Sequence, residues 1–163
     1  MSTSLKDTMG LKGKVRYTIT DSITNEIIHE SPFFHNLVVD GTDTGFNLIL
    51  DRLNADNTYS LNITHLDIGT NATTPAFSDT VALSGAVART DKATGVVSGS
   101  SITFKFFFAS AELADGTYQD VRMVVDGTAS LGTGKLFCRS LFGTPLVKGT
   151  NQNITLEWVL TKA

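Results

Sequence analysis

The chain has 163 residues, of which 41% are apolar and 18% charged, with a formal net charge of −3. That length allows one domain with its own core, without metals or disulfides, and a lone cysteine, Cys138, excludes an internal disulfide. An acidic balance without any Lys/Arg cluster speaks against nucleic acid as a partner, and no apolar run approaches the roughly 18 residues of a membrane span.

Residues 1–10 read as a short arm. They lack the basic region and apolar stretch of a signal peptide, so the product is expected to stay in the cytosol of its producer or leave by lysis. The next segments alternate with period two, the mark of half-buried strands. Segment 14–20 sets Val15, Tyr17 and Ile19 against Lys14, Arg16 and Thr18. Lys12, Lys14 and Arg16 form the solvated face of that strand. Turn chemistry at Ser22-Ile23-Thr24-Asn25 leads to strands expected at 26–31 and 35–39. A helix follows: Phe46, Ile49, Leu50 and Leu53 are spaced i, i+3, i+4, i+7 and should face inward, with Thr42 or Asp43 as N-cap.

Further strands are expected at 63–69, 85–92, 94–98 and 134–142. The clearest rows are Ile102, Phe104, Phe106 and Phe108; Val121, Met123 and Val125; and Ile154, Leu156, Trp158 and Leu160. A one-residue slip would turn each row to water, which fixes the registers. Pro32, Pro75 and Pro145 are placed in connections or at strand starts. Eight or more short strands with one helix near 43–53 predict an all-β, jelly-roll-like sandwich forming a single domain over 1–163.

Each candidate for chemistry has a plainer structural role. Gly132-Thr133-Gly134-Lys135 lacks the earlier glycine and the Ser/Thr of a phosphate loop and precedes a strand, so it reads as a hairpin turn. Asp40-Gly41-Thr42-Asp43-Thr44 spaces oxygen atoms as calcium loops do, but lacks their later glycine and terminal glutamate; a capped strand-to-helix turn accounts for it. His65 and Asp67 share the outer face of one strand, where they are expected to meet solvent and could contribute to an interface. Cys138 is expected to be a small buried hydrophobe. No catalytic residue, metal site or cofactor is assigned. Phe77, alone in the long connection after Asp67, either plugs the sandwich end, the favoured role, or anchors a neighbouring subunit. Phe107, opposite in parity to Phe104, Phe106 and Phe108, is the better interface candidate, or faces a second layer such as the helix.

Several segments together resemble a family of tailed-bacteriophage structural proteins. Asn36-Leu37-Val38-Val39-Asp40-Gly41 is similar to its "N-L-V-x-x-G" lead into a helix. Ile63 to Leu83 resembles its apolar strand, "G-T", Thr/Pro bend, "S-D-T" and Leu, followed by an arginine matched by Arg89. Leu136 to Lys148 resembles "L-x-A-R-x-x-F-x-P-x-x-K", and Ile154 to Leu160 the closing "L-x-V-x-W-x-I". Two departures stand out: Cys138 replaces a small residue, and "N-E-I-G-L" reads Gln119-Asp120-Val121-Arg122-Met123. The resemblance spans nearly the whole chain. It implies a non-enzymatic virion component on the capsid, collar or tail, made in the bacterial cytoplasm. Its partners would be other virion proteins and copies of itself, with a trimer favoured. The alternative is a carbohydrate- or receptor-binding module of a phage tail, for which Tyr59 and Tyr118 could serve and Trp158, in register with core residues, could not.

Overall fold

A row of apolar side chains on every second residue is stable only if another row covers it, and here β1 (Leu11–Asp21), β7 (Ser101–Phe108) and β10 (Gln152–Lys162) each supply one. A computed structural model describes residues 10–163, so the arm expected over 1–10 lies outside them except for Gly10. In chain order the elements are β1 (Leu11–Asp21), β2 (Ile27–Glu30), β3 (Phe34–His35), β4 (Leu37–Val38), α1 (Gly45–Leu53), β5 (Ile63–Gly69), β6 (Ala86–Ser98), β7 (Ser101–Phe108), β8 (Gly116–Val125), β9 (Lys135–Lys148) and β10 (Gln152–Lys162). No helix among the described residues is long and apolar enough to cross a membrane.

The fold is all-β and sandwich-like, built from one antiparallel sheet curled onto itself in the order β2-β1-β10-β7-β6-β5-β8-β9-β4, with β3 also on β1. The curl is made by β6. Its first half, through Asp91, pairs with β5, and its second half, from Lys92, pairs with β7 across an irregularity between Lys92 and Thr94. An extra residue bends and twists a strand, so β6 can leave one leaf and join the other. The two strands expected at 85–92 and 94–98 are thus one. The first leaf is β2-β1-β10-β7 with the end of β6; the second is the start of β6 with β5-β8-β9-β4.

The expected rows align across strands. Val15 faces Trp158, which faces Phe104; Tyr17, Leu156 and Phe106 make the next row, and Ile19, Ile154 and Phe108 the third. Against them the second leaf packs Leu66, Ile68, Val121, Met123, Val125 and Cys138. Each such burial contributes about 1.5–3 kcal/mol, which is why these rows determine register. Pro145 lies inside β9, which continues to Lys148 rather than ending near 142. The pairing of β8 with β9 jumps from Asp120–Leu141 to Tyr118–Leu146, leaving 142–145 out of register. The proline therefore removes no ladder bond, and Phe142 turns inward, edge-on to Tyr17 at 5.1 Å between centroids.

The helix forms on half of the expected stripe. Gly45 and Leu48 are buried and Phe46 and Ile49 pack half-buried against the core, whereas Leu50 and Leu53 are 54% and 75% exposed. Gly45 has φ +44°, and a Cβ there would sit 1.9 Å from the Val39 carbonyl oxygen. That close approach seats the start of α1 on the Val39 carbonyl, which also accepts from Phe46 N at 3.1 Å. Neither Thr42 nor Asp43 caps it: Thr44 is the N-cap, without a side-chain cap bond, and its hydroxyl donates to Gly41 O at 2.8 Å instead.

One clasp at the end of β9 makes stability depend on acidity. Lys148 Nζ donates to Asp115 Oδ1 at 2.9 Å, and Thr150 Oγ1 donates to Oδ2. These hydrogen bonds hold the Asp115 carboxyl below its ordinary range; backbone N–H groups of Thr24 and Ile23 do the same for Asp21, and Thr58 for Asp56. A depressed folded pKa adds stability above the unfolded value and loses it as pH falls through the folded one. The urea midpoint should therefore hold steady from neutrality to about pH 4 and fall below it, with a shallower acid limb in Asp115→Asn. An acid limb equally steep in that variant would remove Asp115 from the account.

Candidate functional site

The chain's most unusual feature is a set of charged side chains inside the fold. Four adjacent strands of the second leaf carry Arg89, Asp67, Arg122 and Arg139 in one cross-strand row, since Asp67 faces both Arg89 and Arg122, and Arg122 faces Arg139. The row points away from the apolar core, yet these side chains are almost wholly buried. With Asp120 and Asp79 the set holds three carboxylates against three guanidinium groups, so its formal charge balances.

What covers it is the connection 70–85. Asp120 is the hub: its Oδ2 accepts from Arg122 Nε and Arg139 Nε, both at 2.9 Å, and its Oδ1 accepts from Asn71 N at 3.1 Å. Arg122 then donates to the carbonyls of Leu83 and Ser84. Arg139 reaches Asp79 Oδ2 at 3.0 Å and both oxygens of Asn71. Gly69 allows this: a Cβ there would lie 2.5 Å from Asp120 Oδ1 and 2.6 Å from Gly85 O. Both ends of the connection are thus tied to a rigid sheet, and its tip is held where Phe77 O accepts from Asp40 N at 2.9 Å.

Arg89 makes a second clasp. It grips Asp67 with two nitrogens, and its Nη1 donates to the carbonyls of Thr128 and Ser130 and to Thr133 Oγ1. Gly132-Thr133-Gly134 is thereby the β8–β9 hairpin turn, with φ near +78° at both glycines. Beside it Thr64 Oγ1, His65 Nδ1 and His65 Nε2–Asp91 Oδ1 form a chain of 2.8 Å contacts. This has the outline of a nucleophile relay. Thr64 Oγ1 also accepts the Gly127 N–H at 2.9 Å and lies 3.4 Å from Val124 O, so its oxygen ties β5 to the turn after β8.

The candidate residues therefore separate. His65 and Asp67 do lie on the outer face, but His65 is nearly buried and Asp67 fully buried, not solvent-facing, because Arg89 and the 126–134 turn cover them. Phe77 is 62% exposed and does not plug the sandwich. Phe107 is 42% exposed on the outside of the first leaf, paired with Thr155, while α1 packs against β9 on the other leaf and gives it no second layer. Of the tyrosines available for a sugar platform, Tyr118 is buried with its hydroxyl on Ala114 O, and Tyr59 is half-buried with Lys135 Nζ 5.0 Å from its ring. In the Asp40–Thr44 turn, Asn47 Nδ2 occupies the carbonyls of Asp40 and Gly41, and Asp43 pairs with Lys135 at 3.6 Å.

Cys138 sits fully buried beside Met123, and burial pushes its thiol well above the usual range. A thiol held neutral and out of solvent does not react. The folded protein should give no fast reaction with a disulfide reagent, and one equivalent once denatured; fast labelling of the native state would contradict this placement. No protein-family model, curated protein or solved structure matches the chain.

Proposed function

We propose that this chain is a non-enzymatic structural subunit of a tailed-bacteriophage virion, attached to the capsid, collar or tail and assembling through its own surfaces. One observation carries the reading. Among the residues that give the chain its likeness to that family, Gly69-Thr70, Asp79, Arg89 and Arg139 all belong to the two clasps. They bind loops to a sheet, and their polar atoms are spent on partners inside the chain. The likeness is therefore a likeness of scaffold, and it concerns how a long surface loop is held.

One of the two departures fits the same frame. Asp120 and Arg122 stand where the pattern has glutamate and glycine, and both belong to the network. The exposed features left for contact are loop-borne or strand-borne apolar groups such as Phe77 and Phe107, as a subunit that packs against other chains requires. The test is sedimentation of the tagged chain through a density gradient with phage particles from the cells that produce it. The reading expects the chain in the particle band. A chain that stays at the top of the gradient beside abundant particles overturns it.

A further inference from the structure

The start of β1 borders a hollow, made where the neighbouring chain turns away. On the side opposite β10, β1 pairs with β3 only at Lys14 and Val15. Asn36 N then donates to Gly13 O at 3.2 Å, and the chain crosses to β4 on the other leaf. Gly13 lets that turn come so near, since a Cβ there would lie 1.8 Å from Asn36 Oδ1. What remains is a hollow of about 220 Å³ whose lining includes Lys12, Lys14, His35 and Asn36, with Leu11 and Val159 as its apolar part.

The charge of this lining has one sign. It holds two ammonium groups and an imidazole, and no carboxylate. Lys12 and Lys14 share a face of β1, so their Cα atoms are about 6.6–6.8 Å apart and their flexible stems can converge on one group. Arg16, the next cation of the row, is held by Glu30 at 3.0 Å and Glu157 at 3.1 Å. No carboxylate among the described residues pairs with Lys12 or Lys14; the Lys14 ammonium lies 4.3 Å from the Phe33 ring centroid instead. The chain carries an excess of acid, so two neighbouring cations without a counter-charge are not explained by a shortage of carboxylates. A second observation lies beside them. Asn36 Oδ1 accepts from Trp158 Nε1, but Asn36 Nδ2 is buried with no hydrogen-bond partner, the one buried side-chain nitrogen or oxygen so left among the described residues. Buried donors are almost always paired, and an orphan points to a partner outside the chain.

We propose that this hollow binds a small dianionic oxyanion of the phosphate class. Lys12 and Lys14 neutralise its two charges, His35 donates a ring N–H, and a small turn of the Asn36 amide gives Nδ2 an oxygen to bond. A phosphoryl group carries about −1.5 to −2 near neutral pH, which matches two ammonium groups, whereas a single carboxylate would leave one of them unanswered. Leu11 and Val159 leave apolar wall for a short carbon skeleton, so the phosphoryl group can come from the free ion or from a small phosphomonoester. One subunit supplies every group, so the site does not depend on the chain's place in a particle.

The test is an NMR titration of the isotope-labelled full chain with sodium phosphate, with glycerol phosphate, and with sodium chloride at equal ionic strength. The expected result is saturable movement of the Lys12 to Lys14 and His35 to Asn36 amide signals with phosphate and not with chloride. Binding should weaken by at least about tenfold when Lys12→Gln and Lys14→Gln are combined. Both lysines are exposed on a strand face, so that variant should keep the native circular dichroism. Lys105→Gln, on the same leaf but outside the hollow, should bind as the parent does. Movement that chloride reproduces, that never saturates, or that the double variant leaves unchanged overturns the site. Tighter binding of glycerol phosphate than of phosphate assigns the site to a phosphomonoester, and equal or weaker binding assigns it to the free ion.

Discussion

Replacing Asp120 by alanine should lower the stability of the fold by about 3–5 kcal/mol, a large part of the roughly 5–15 kcal/mol that holds a domain together. Its carboxylate is fully buried and bonded to Arg122, Arg139 and the Asn71 N–H. Removing it strands two guanidinium groups out of water with only carbonyls and Asp79 to receive them. The intact network need not be more stable than an apolar patch of the same shape; the cost lies in breaking it from one side. Asp79→Ala should cost less, since Asp79 belongs to the loop and retains some solvent contact. Guanidinium titration followed by the fluorescence of Trp158, the sole tryptophan, measures both. A loss below about 1 kcal/mol in Asp120→Ala would show that water reaches the network.

Trp158→Ala should cost a similar amount, about 3–5 kcal/mol, for a different reason. The indole is fully buried between Val15 and Phe104 in the central row, and its Nε1 donates to Asn36 Oδ1 at 3.3 Å. Alanine leaves a cavity that two sheet-bound neighbours cannot collapse into, and it removes the donor that Asn36 faces. Trp158→Phe keeps most of the volume and should lose distinctly less. Since both variants lack the fluorophore, circular dichroism supplies the midpoint. Equal losses in the two would assign the effect to the Asn36 hydrogen bond and not to packing.

The alternating rows were legible in β1, β7 and β10 because each of those strands has a wetter side and a dry side. Phe104, Phe106 and Phe108, or Ile154 to Leu160, carry their own register in the spacing of their side chains. The helix stripe was half legible: Phe46 and Ile49 pack against the core, while Gly45, which contributes nothing to an apolar pattern, is buried against the Val39 carbonyl and Leu50 and Leu53 stay exposed. The length of β9 was hidden because the looped-out residues 142–145 interrupt its alternation, and the passage of β6 between leaves was hidden by the irregularity at Lys92 and Thr94.

The ion network was the least legible part. A charged residue midway along a strand reads as solvent-facing, and Asp67, Arg122 and Arg139 each satisfy the alternation on that basis. They are buried because the connection 70–85 folds back over them, a long-range event that no local window contains. A signal existed all the same. Four strands of one leaf each bear a charged residue in an otherwise apolar setting, in Leu66-Asp67-Ile68, Ala88-Arg89, Val121-Arg122-Met123 and Cys138-Arg139, with opposite signs available to pair. Phe77 lacked even that, because its exposure follows from where the clasped loop is pinned.

Counting this chain in purified virions by quantitative mass spectrometry bears most directly on the claim that it is a built-in part of a particle. The account predicts a fixed number of copies for each major capsid protein, unchanged through repeated banding and salt washing. Particles from which the chain is missing, or in which its amount drifts with each wash, would contradict it.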